Sequence, residues 1–277
     1  MSQPAIHSRF VQLDEVRLHY AAIENDHPPM VMLHGIGMDW AVWQAVSRRL
    51  APFFRLLMLD LRGHGQSDKP ARGYSLADYA ADVEQLIALL GLSDVTLVGS
   101  SLGGMVAAVV EEAREFVSAR ILVDPPLMRG SGPRRLILER ILTIKRTGVS
   151  NAEQRTAIFE ALTIDREGAG NVFTRYMADS WLRTSVGVIV EALEPIETLD
   201  QIDAALAAID CPTLIMRGNP DRGSVLAPDE AERAQKLMKC GDVLYFPESG
   251  HAIHGSEPVR FVNAIVDFRS RWVEART

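Results

Sequence analysis

The chain has 277 residues, with 29 Lys and Arg against 36 Asp and Glu, which gives a formal net charge of −7 and excludes a nucleic-acid binder that works through a general basic field. Hydrophobic residues make up 47% of the chain and charged residues 23%, which excludes disorder and fibrous repeats as overall descriptions. Because the length is near the upper limit of about 250–300 residues for one hydrophobic core, we expect one domain that carries an insertion.

Short apolar runs alternate with helical patterns along the chain. The predicted strands are residues 10–13, 16–23, 30–33, 56–59, 95–98, 120–123, 213–216 and 243–246. The predicted helices are residues 40–50, 76–90, 102–116, 229–238 and 257–273. After the opening pair, several strands lack polar alternation, which is typical of parallel strands covered on both faces. This order predicts an α/β fold with a mostly parallel sheet between layers of helices.

The alternation breaks between residues 128 and 208, where only helical periodicity is found. We therefore expect a core of residues 1–127 and 209–277 and a helical insertion of residues 128–208. The start of the insertion is locally basic and contains Arg129, Arg134, Arg135, Arg140, Lys145 and Arg146. This cluster is either a solvated helix face or the source of one arginine that turns inward to bind a substrate carboxylate.

The cysteine content, the N-terminal sequence and the length of the uncharged stretches together indicate the cellular compartment. Cys211 and Cys240 are too few for a disulfide framework and lack the CxxC spacing of a metal or redox site. The N-terminus has no basic start followed by an apolar run, so no secretory signal is expected. The longest uncharged stretch is residues 95–110, shorter than the roughly 20 residues of a membrane span. We expect a cytoplasmic protein without membrane or nucleic-acid partners, metal or cofactor.

The segment Gly99-Ser100-Ser101-Leu102-Gly103 fits the pattern GxSxG directly between a predicted strand and a predicted helix. In that setting a sharp turn raises the serine hydroxyl above the end of the sheet, and glycines let the neighbouring backbone pass closely. The amides and the positive dipole end at the helix N-terminus favour an anion formed there. The pattern predicts that Ser101 is a nucleophile.

A serine nucleophile needs a base and a third group that orients the base. His251 follows the last predicted strand, where a sheet of this kind builds its site, and is the predicted base. For the orienting carboxylate we favour Asp221, which follows strand 213–216. The alternative is Asp124, which follows strand 120–123 and could reach the same histidine from the neighbouring strand.

Two amide donors are needed to hold the oxyanion of a tetrahedral intermediate. Leu102 follows the nucleophile, and its N–H is the first candidate. The loop after strand 30–33 offers the second, for which we choose the N–H of Ile36, because Gly35 lets that peptide point inward. We expect His34 to be a hydrogen-bonded structural histidine.

These segments together resemble the α/β-hydrolase superfamily, in its serine-nucleophile, capped, esterase- and lactonase-like branch. The matching segments are His34-Gly35-Ile36-Gly37, Arg62-Gly63-His64-Gly65, Gly99-Ser100-Ser101-Leu102-Gly103-Gly104, Gly218-Asn219-Pro220-Asp221 and Gly250-His251. The resemblance implies an eight-stranded sheet, a role for His64 in bracing the loops, and an insertion that covers the site as a cap. Gly35, Tyr176 and Trp181 are then the candidate substrate contacts, although the two aromatic side chains could equally be cap core.

At several positions this sequence differs from the motifs of particular branches of the family, and these differences argue against the activities of those branches. Epoxide hydrolases and haloalkane dehalogenases have an aspartate where Ser101 stands, and Tyr176 is the one tyrosine of segment 128–208, where epoxide hydrolases use two. Hydrolases of carbon–carbon bonds usually have a tryptophan after the catalytic histidine, where Ala252 stands here. We therefore expect hydrolysis of a small carboxylic ester or lactone through an acyl-enzyme. The alternatives are carbon–carbon bond hydrolysis, cofactor-free perhydrolase or haloperoxidase-like chemistry, and a non-catalytic ligand receptor.

Overall fold

A computed structural model describes residues 4–127, 133–163, 172–194 and 199–272. Within these residues, eight strands form a single sheet in the order β1-β2-β4-β3-β5-β6-β7-β8. The strands are β1 (His7–Gln12), β2 (Arg17–Ile23), β3 (Pro29–Leu33), β4 (Arg55–Leu59), β5 (Val95–Ser100), β6 (Val117–Val123), β7 (Thr213–Gly218) and β8 (Gly241–Phe246). The first two strands are antiparallel to their neighbours, and the remaining pairs are parallel. The predicted mostly parallel sheet is confirmed.

Helices cover both faces of this sheet. They are α1 (Gln44–Leu50), α2 (Leu76–Leu89), α3 (Leu102–Val109), α4 (Pro133–Arg146), α5 (Asn151–Thr163), α6 (Val172–Arg183), α7 (Val186–Leu193), α8 (Leu199–Ala208), α9 (Pro228–Leu237), α10 (Ile253–Ser256) and α11 (Pro258–Trp272). Side chains of α1, α10 and α11 form one buried apolar cluster with the sheet, and those of α2, α3, α8 and α9 form the other. In the described part of the chain no helix is both long and apolar enough to cross a membrane.

Helix α3 is shorter than its apolar pattern predicts, since it ends at Val109 and not at residue 116. Val110 turns to an extended conformation, and the N–H groups of Glu111 and Glu112 both donate to the carboxylate of Glu84 in α2, at 2.7 and 2.9 Å. A side chain of the neighbouring helix thus replaces the intrahelical partners that would continue α3. This long-range competition is not visible in the periodicity of the segment.

Between β6 and β7 the described residues form only helices, α4 to α8. Helices α4 to α7 build an apolar cluster of their own around Ile141, Ile158, Trp181 and Ile189, each at most 4% exposed, whereas α8 packs on the sheet. Ile36, from the loop after β3, packs against this cluster. The insertion therefore contacts the loop that follows the carboxyl end of a central strand.

Candidate active site

Ser101 occupies the sharp turn between β5 and α3. Its backbone angles, φ 55° and ψ −117°, are strained for a residue with a side chain, and its N–H donates to the carbonyl of Val123 at 3.0 Å. A Cβ at Gly99 would clash with the carbonyl of Gly103, and a Cβ at Gly103 would clash with that of Leu33. Only glycine fits either position, so the GxSxG spacing follows from the close approach of three backbone segments.

His251 is held by Asp124. Its Nδ1 lies 2.7 Å from Oδ2 of Asp124, which is completely buried, whereas the imidazole is about one-third exposed. Ser100 and Val123 are paired in the register of β5 and β6, so Ser101 and Asp124 follow neighbouring strands at the same edge of the sheet. A carboxylate that accepts from Nδ1–H leaves Nε2 as the basic nitrogen of a neutral imidazole.

The carboxylate of Asp124 is fixed by a cradle from the loop after β7. Oδ1 accepts from the Ser224 hydroxyl at 2.6 Å, and Oδ2 accepts from the Val225 N–H at 2.9 Å. Burial alone would raise the pKa of Asp124. The hydrogen bond and the positive charge of His251, together with the hydrogen bonds from Ser224 and Val225, outweigh the effect of burial and hold the pKa of Asp124 below its usual value. The acid is therefore an ion at neutral pH.

The prediction that Asp221 contacts His251 is wrong in this structure. Asp221 lies exposed in a short 3-10 helix, Pro220–Arg222, which Asn219 caps by accepting from the Asp221 N–H at 3.0 Å. The loop does reach the histidine segment, because a Cβ at Gly250 would clash with the carbonyl of Arg222. It directs the residues after Gly223 inward, and the Asp221 carboxylate outward.

The local sequence gives a misleading signal for Asp124 and none for Ser224. Asp124 precedes two prolines and reads as a turn residue, and in the structure its φ is +45°, which lifts the carboxylate out of the strand direction. Ser224 was missed altogether, because a serine in a loop has no pattern that distinguishes it. Its role follows only from the hydrogen bond that its hydroxyl donates to Asp124 in the folded chain.

The loop after β3 presents the second predicted amide. The Gly35 carbonyl accepts from Nδ1 of His34 at 2.8 Å and from the Met38 N–H at 3.1 Å, in a turn where Gly37 has φ +73°. In a trans peptide the N–H of Ile36 points opposite to that carbonyl. A Cβ at Gly35 would lie 3.1 Å from Cβ of Ser101, so this peptide is directly beside the serine. Leu102, at the first position of α3, has an N–H without an intrahelical acceptor.

The buried histidines near this edge are structural. His34 donates from Nδ1 to Gly35 and accepts the Leu61 N–H at Nε2, at 3.1 Å, and burial lowers its pKa. His64 packs edge-on against His34, at 4.9 Å between ring centroids, and burial lowers its pKa to about 3. His254 is buried against Trp43, not at the surface. Among residues 4–127, 133–163, 172–194 and 199–272, no group of three His, Cys, Asp or Glu could hold a metal ion.

Tyr176 and Trp181, the aromatic residues predicted to contact substrate, both lie in α6 and reach the loop after β3. The Trp181 ring covers Gly37 so closely that any Cβ there would overlap it. The Tyr176 hydroxyl donates to Oδ1 of Asp39 at 2.9 Å. Trp181 belongs to the apolar cluster of the insertion. Their contacts are thus with the loop beside Ser101.

The basic start of the insertion faces outward where it is described. Arg135, Arg140 and Arg146 are exposed, and Arg135 bonds to Glu139 and to the Leu193 carbonyl. Lys145 turns inward, but its ammonium donates to the carbonyls of Trp181 and Leu182 at the end of α6. Arg129 and the side chain of Arg134 lie outside the described residues. The described arginines therefore match the solvated helix face and give no support to an arginine bound to substrate.

Comparison with known proteins relates the whole arrangement to one family. Residues 30–264 match the model of the Alpha/beta hydrolase family. The chain is 28% identical to N-formylmaleamate deformylase of Pseudomonas putida over 93% of this chain and 94% of that protein, and 31% identical to a non-heme haloperoxidase of Rhodococcus erythropolis over 81% and 86%. Against three uncharacterized mycobacterial proteins it is 45% identical over 85 residues, and it spans a quarter of their length.

Solved structures of similar fold include several enzymes. The esterase RhEst1 from Rhodococcus sp. ECU1013 superposes with a TM-score of 0.76 at 26% identity, and the two chains are covered to 96% and 98%. The fold of this chain is therefore shared with RhEst1 over nearly the full length of both chains.

Proposed function

This chain belongs to the alpha/beta hydrolase family, and from that premise we propose that it is a hydrolase that cleaves a small carboxylic ester or lactone through an acyl-enzyme on Ser101. The observation that carries the proposal is the 2.7 Å hydrogen bond between Asp124 and His251 at the sheet edge where Ser101 stands. A serine hydroxyl is a poor nucleophile, and this pair supplies the base and the group that orients it.

In the proposed reaction, Ser101 Oγ attacks the acyl carbon while Nε2 of His251 takes the hydroxyl proton. The tetrahedral intermediate collapses, and the same proton passes to the leaving alcohol, so that the ester C–O bond breaks and an acyl-serine remains. Water then attacks the acyl-serine with His251 again as base, which releases the carboxylic acid and restores the serine. Asp124 stabilises the imidazolium that forms in both steps and remains ionised.

The oxyanion is held in this proposal by the N–H groups of Ile36 and Leu102. Supporting observations are the fixed Gly35 carbonyl, which directs the Ile36 N–H the other way, and the position of Leu102 at the start of α3. Loss of one such donor commonly costs about a hundredfold to a thousandfold in rate. The role belongs to the main chain, while the Ile36 side chain packs on the helical insertion.

The surroundings favour an uncharged acyl group. Ile36 adjoins the apolar cluster of the insertion, and the described arginines at the start of α4 face solvent. In this proposal residues 128–208 act as a cap over the site. Tyr176 and Trp181 of the cap and Gly35 of the loop after β3 shape the entrance beside Ser101. The 31% identity to a non-heme haloperoxidase keeps perhydrolysis on the same serine as a second candidate.

Covalent labelling with a fluorophosphonate tests the proposal. We expect the wild type to be labelled and the Ser101→Ala variant to remain unlabelled, with Ser100→Ala, the adjacent buried serine, as the matched control that is labelled normally. Hydrolysis of p-nitrophenyl acetate should be lost in His251→Ala. Activity that survives the loss of Ser101 would refute the proposal. A panel of short and long esters and lactones, assayed with and without hydrogen peroxide, then separates esterase from perhydrolase.

A further inference from the structure

Asp39 lies three residues after Ile36, and its buried carboxylate is surrounded by donors from α6. Oδ1 accepts from the Tyr176 hydroxyl at 2.9 Å and Oδ2 from the Arg183 guanidinium at 2.6 Å, with the Ser180 hydroxyl at 3.4 Å. The Tyr176 oxygen also accepts the Asp39 N–H at 3.3 Å. A single helix of the insertion thus holds both the side chain and the main chain of this residue.

The same carboxylate organises the core side of the junction. Oδ1 accepts the Ala41 N–H at 3.1 Å and so caps the 3-10 helix Trp40–Trp43, which leads into α1. Asp39 therefore joins α6 to the segment that ends the loop after β3. Because the Asp39 side chain is only 7% exposed, the loss of its partners would leave a buried charge poorly compensated.

Between Asp39 and Ser101 the loop has little freedom. The Met38 N–H and the Gly35 carbonyl close the turn, Trp181 of α6 covers Gly37, and Gly35 adjoins Ser101. A shift of α6 is thus transmitted through two contacts, at Gly37 and at Asp39, to the peptide that carries the Ile36 N–H. A misplacement of about 1 Å in such a group can cost a hundredfold in rate.

We propose that Asp39 is a positioning residue that couples docking of α6 to the orientation of the Ile36 amide, so that the oxyanion donor is aligned only when the insertion is seated. This inference rests on the proposed function of Ser101 and Ile36. It also gives Tyr176 a role in this coupling, because the Tyr176 hydroxyl contacts Asp39 from α6. In this proposal the Tyr176 hydroxyl holds the loop in place and does not bind the substrate.

The test uses the full-length variants Asp39→Asn and Tyr176→Phe. Their matched control is Asp179→Asn, because Asp179 also lies on α6 but pairs with Arg155 of α5 and not with the loop. We expect Asp39→Asn to lower kcat about 10-fold to 100-fold with KM changed less than about twofold, and Tyr176→Phe to lower kcat by a smaller factor. The affinity for an alkyl trifluoromethyl ketone, whose adduct with serine places an oxyanion at the same amides, should fall by the same factor as kcat/KM.

The control variant should retain kcat and inhibitor affinity. Equal behaviour of Asp39→Asn and Asp179→Asn, or a rise in KM alone, would overturn the proposal. Hydrogen exchange provides a readout that does not need activity: amides of residues 35–41 should exchange faster in Asp39→Asn and Tyr176→Phe than in the control, and unchanged exchange would also overturn it. Absence of fluorophosphonate labelling in the wild type would instead refute the function of Ser101, and the exchange result would stand apart from it.

Discussion

Ser101 and Asp124 leave neighbouring parallel strands, and both have a positive backbone φ, at 55° and 45°. Each amide is tied to the next strand along the sheet, Ser101 N–H to the Val123 carbonyl and Asp124 N–H to that of Met216. A residue other than glycine in this region costs about 1–3 kcal/mol, which the surrounding structure must offset. We assign the nucleophile to Ser101 and the acid to Asp124, and the pairing of the sheet keeps these two strained residues side by side.

The identity of the acid can be decided by a pair of variants. Asp124→Asn should lower kcat/KM for p-nitrophenyl acetate by about 10⁴, because the amide cannot hold the productive imidazole tautomer. Asp221→Asn should change it less than about twofold, since Asp221 is exposed and lies outside the His251 contact. An equally large loss in Asp221→Asn would show that the 3-10 helix rearranges when substrate binds.

Buried histidines should make the protein less stable in acid. Burial lowers the pKa of His254 to about 4, below the ordinary value of 6.5. As the pH falls below 6.5, this histidine becomes protonated in the unfolded chain but stays neutral in the folded chain. The free energy of unfolding therefore falls until the pH reaches the folded pKa. Above pH 6.5 the contribution of His254 is constant. In His254→Asn the decrease between pH 7 and pH 5 should be smaller by roughly 1–2 kcal/mol, measured by urea unfolding. His27→Asn, at an exposed position, is the control, and an unchanged slope in His254→Asn would contradict the assignment.

The glycines of the turn should tolerate no side chain. Gly99→Ala places a Cβ against the Gly103 carbonyl, a backbone atom that cannot move aside, so we expect loss of activity and a lower thermal midpoint. Gly148→Ala is the comparison, because no atom lies within 4 Å of a Cβ at that position. Circular dichroism melts of both variants measure the difference. Equal midpoints would mean that the strand-to-helix turn can relax.

The ion pair between Arg62 and Asp82 should be costly to break. Two guanidinium nitrogens each lie 2.6 Å from an Asp82 oxygen, and both residues are almost fully buried. Asp82→Asn removes the nearest counter-charge of the arginine and leaves only the longer ion pairs with Glu15 and Asp78, at 3.9 and 4.0 Å, so we expect a loss of about 3 kcal/mol in unfolding free energy. Glu248→Gln, which disrupts the exposed pair with Arg222, should cost less than about 1 kcal/mol. Chemical denaturation compares the two, and similar losses would argue against burial as the cause.

The strands and the sharp turn at Ser101 are predictable from the sequence for the same reason, because their signals are local. Apolar runs identify β3 to β7, and the glycines around Ser101 record a close backbone approach within a few residues. The position of Asp221 after a strand predicts it as the acid, but Asp124 satisfies the same criterion. What separates them is the φ of Asp124 and the cradle from Ser224 and Val225, a hundred residues further along. Such a relationship exists only after β6 and β7 have paired.

The same limit applies to Asp39. Its cap on the 3-10 helix Trp40–Trp43 is a local contact, while its contacts with Tyr176 and Arg183 join segments separated by well over a hundred positions. The end of α3 at Val109 likewise depends on Glu84 in another helix. These features are set by tertiary packing, so local periodicity carries no information about them.

The helical insertion leaves the sheet after β6 and returns to it at β7, and these strands are direct neighbours paired from Arg120 with Thr213 to Val123 with Met216. Because β6 and β7 are parallel, the chain leaves the sheet at the carboxyl ends of the strands, next to Asp124, and re-enters it at their amino ends, and α8 packs on the sheet along that return. The part of the insertion that lies outside the sheet's core is therefore α4 to α7, which form an apolar cluster of their own. For engineering, a foreign helical segment joined after β6 and before α8 could alter selectivity while Asp124 and His251 stay in place.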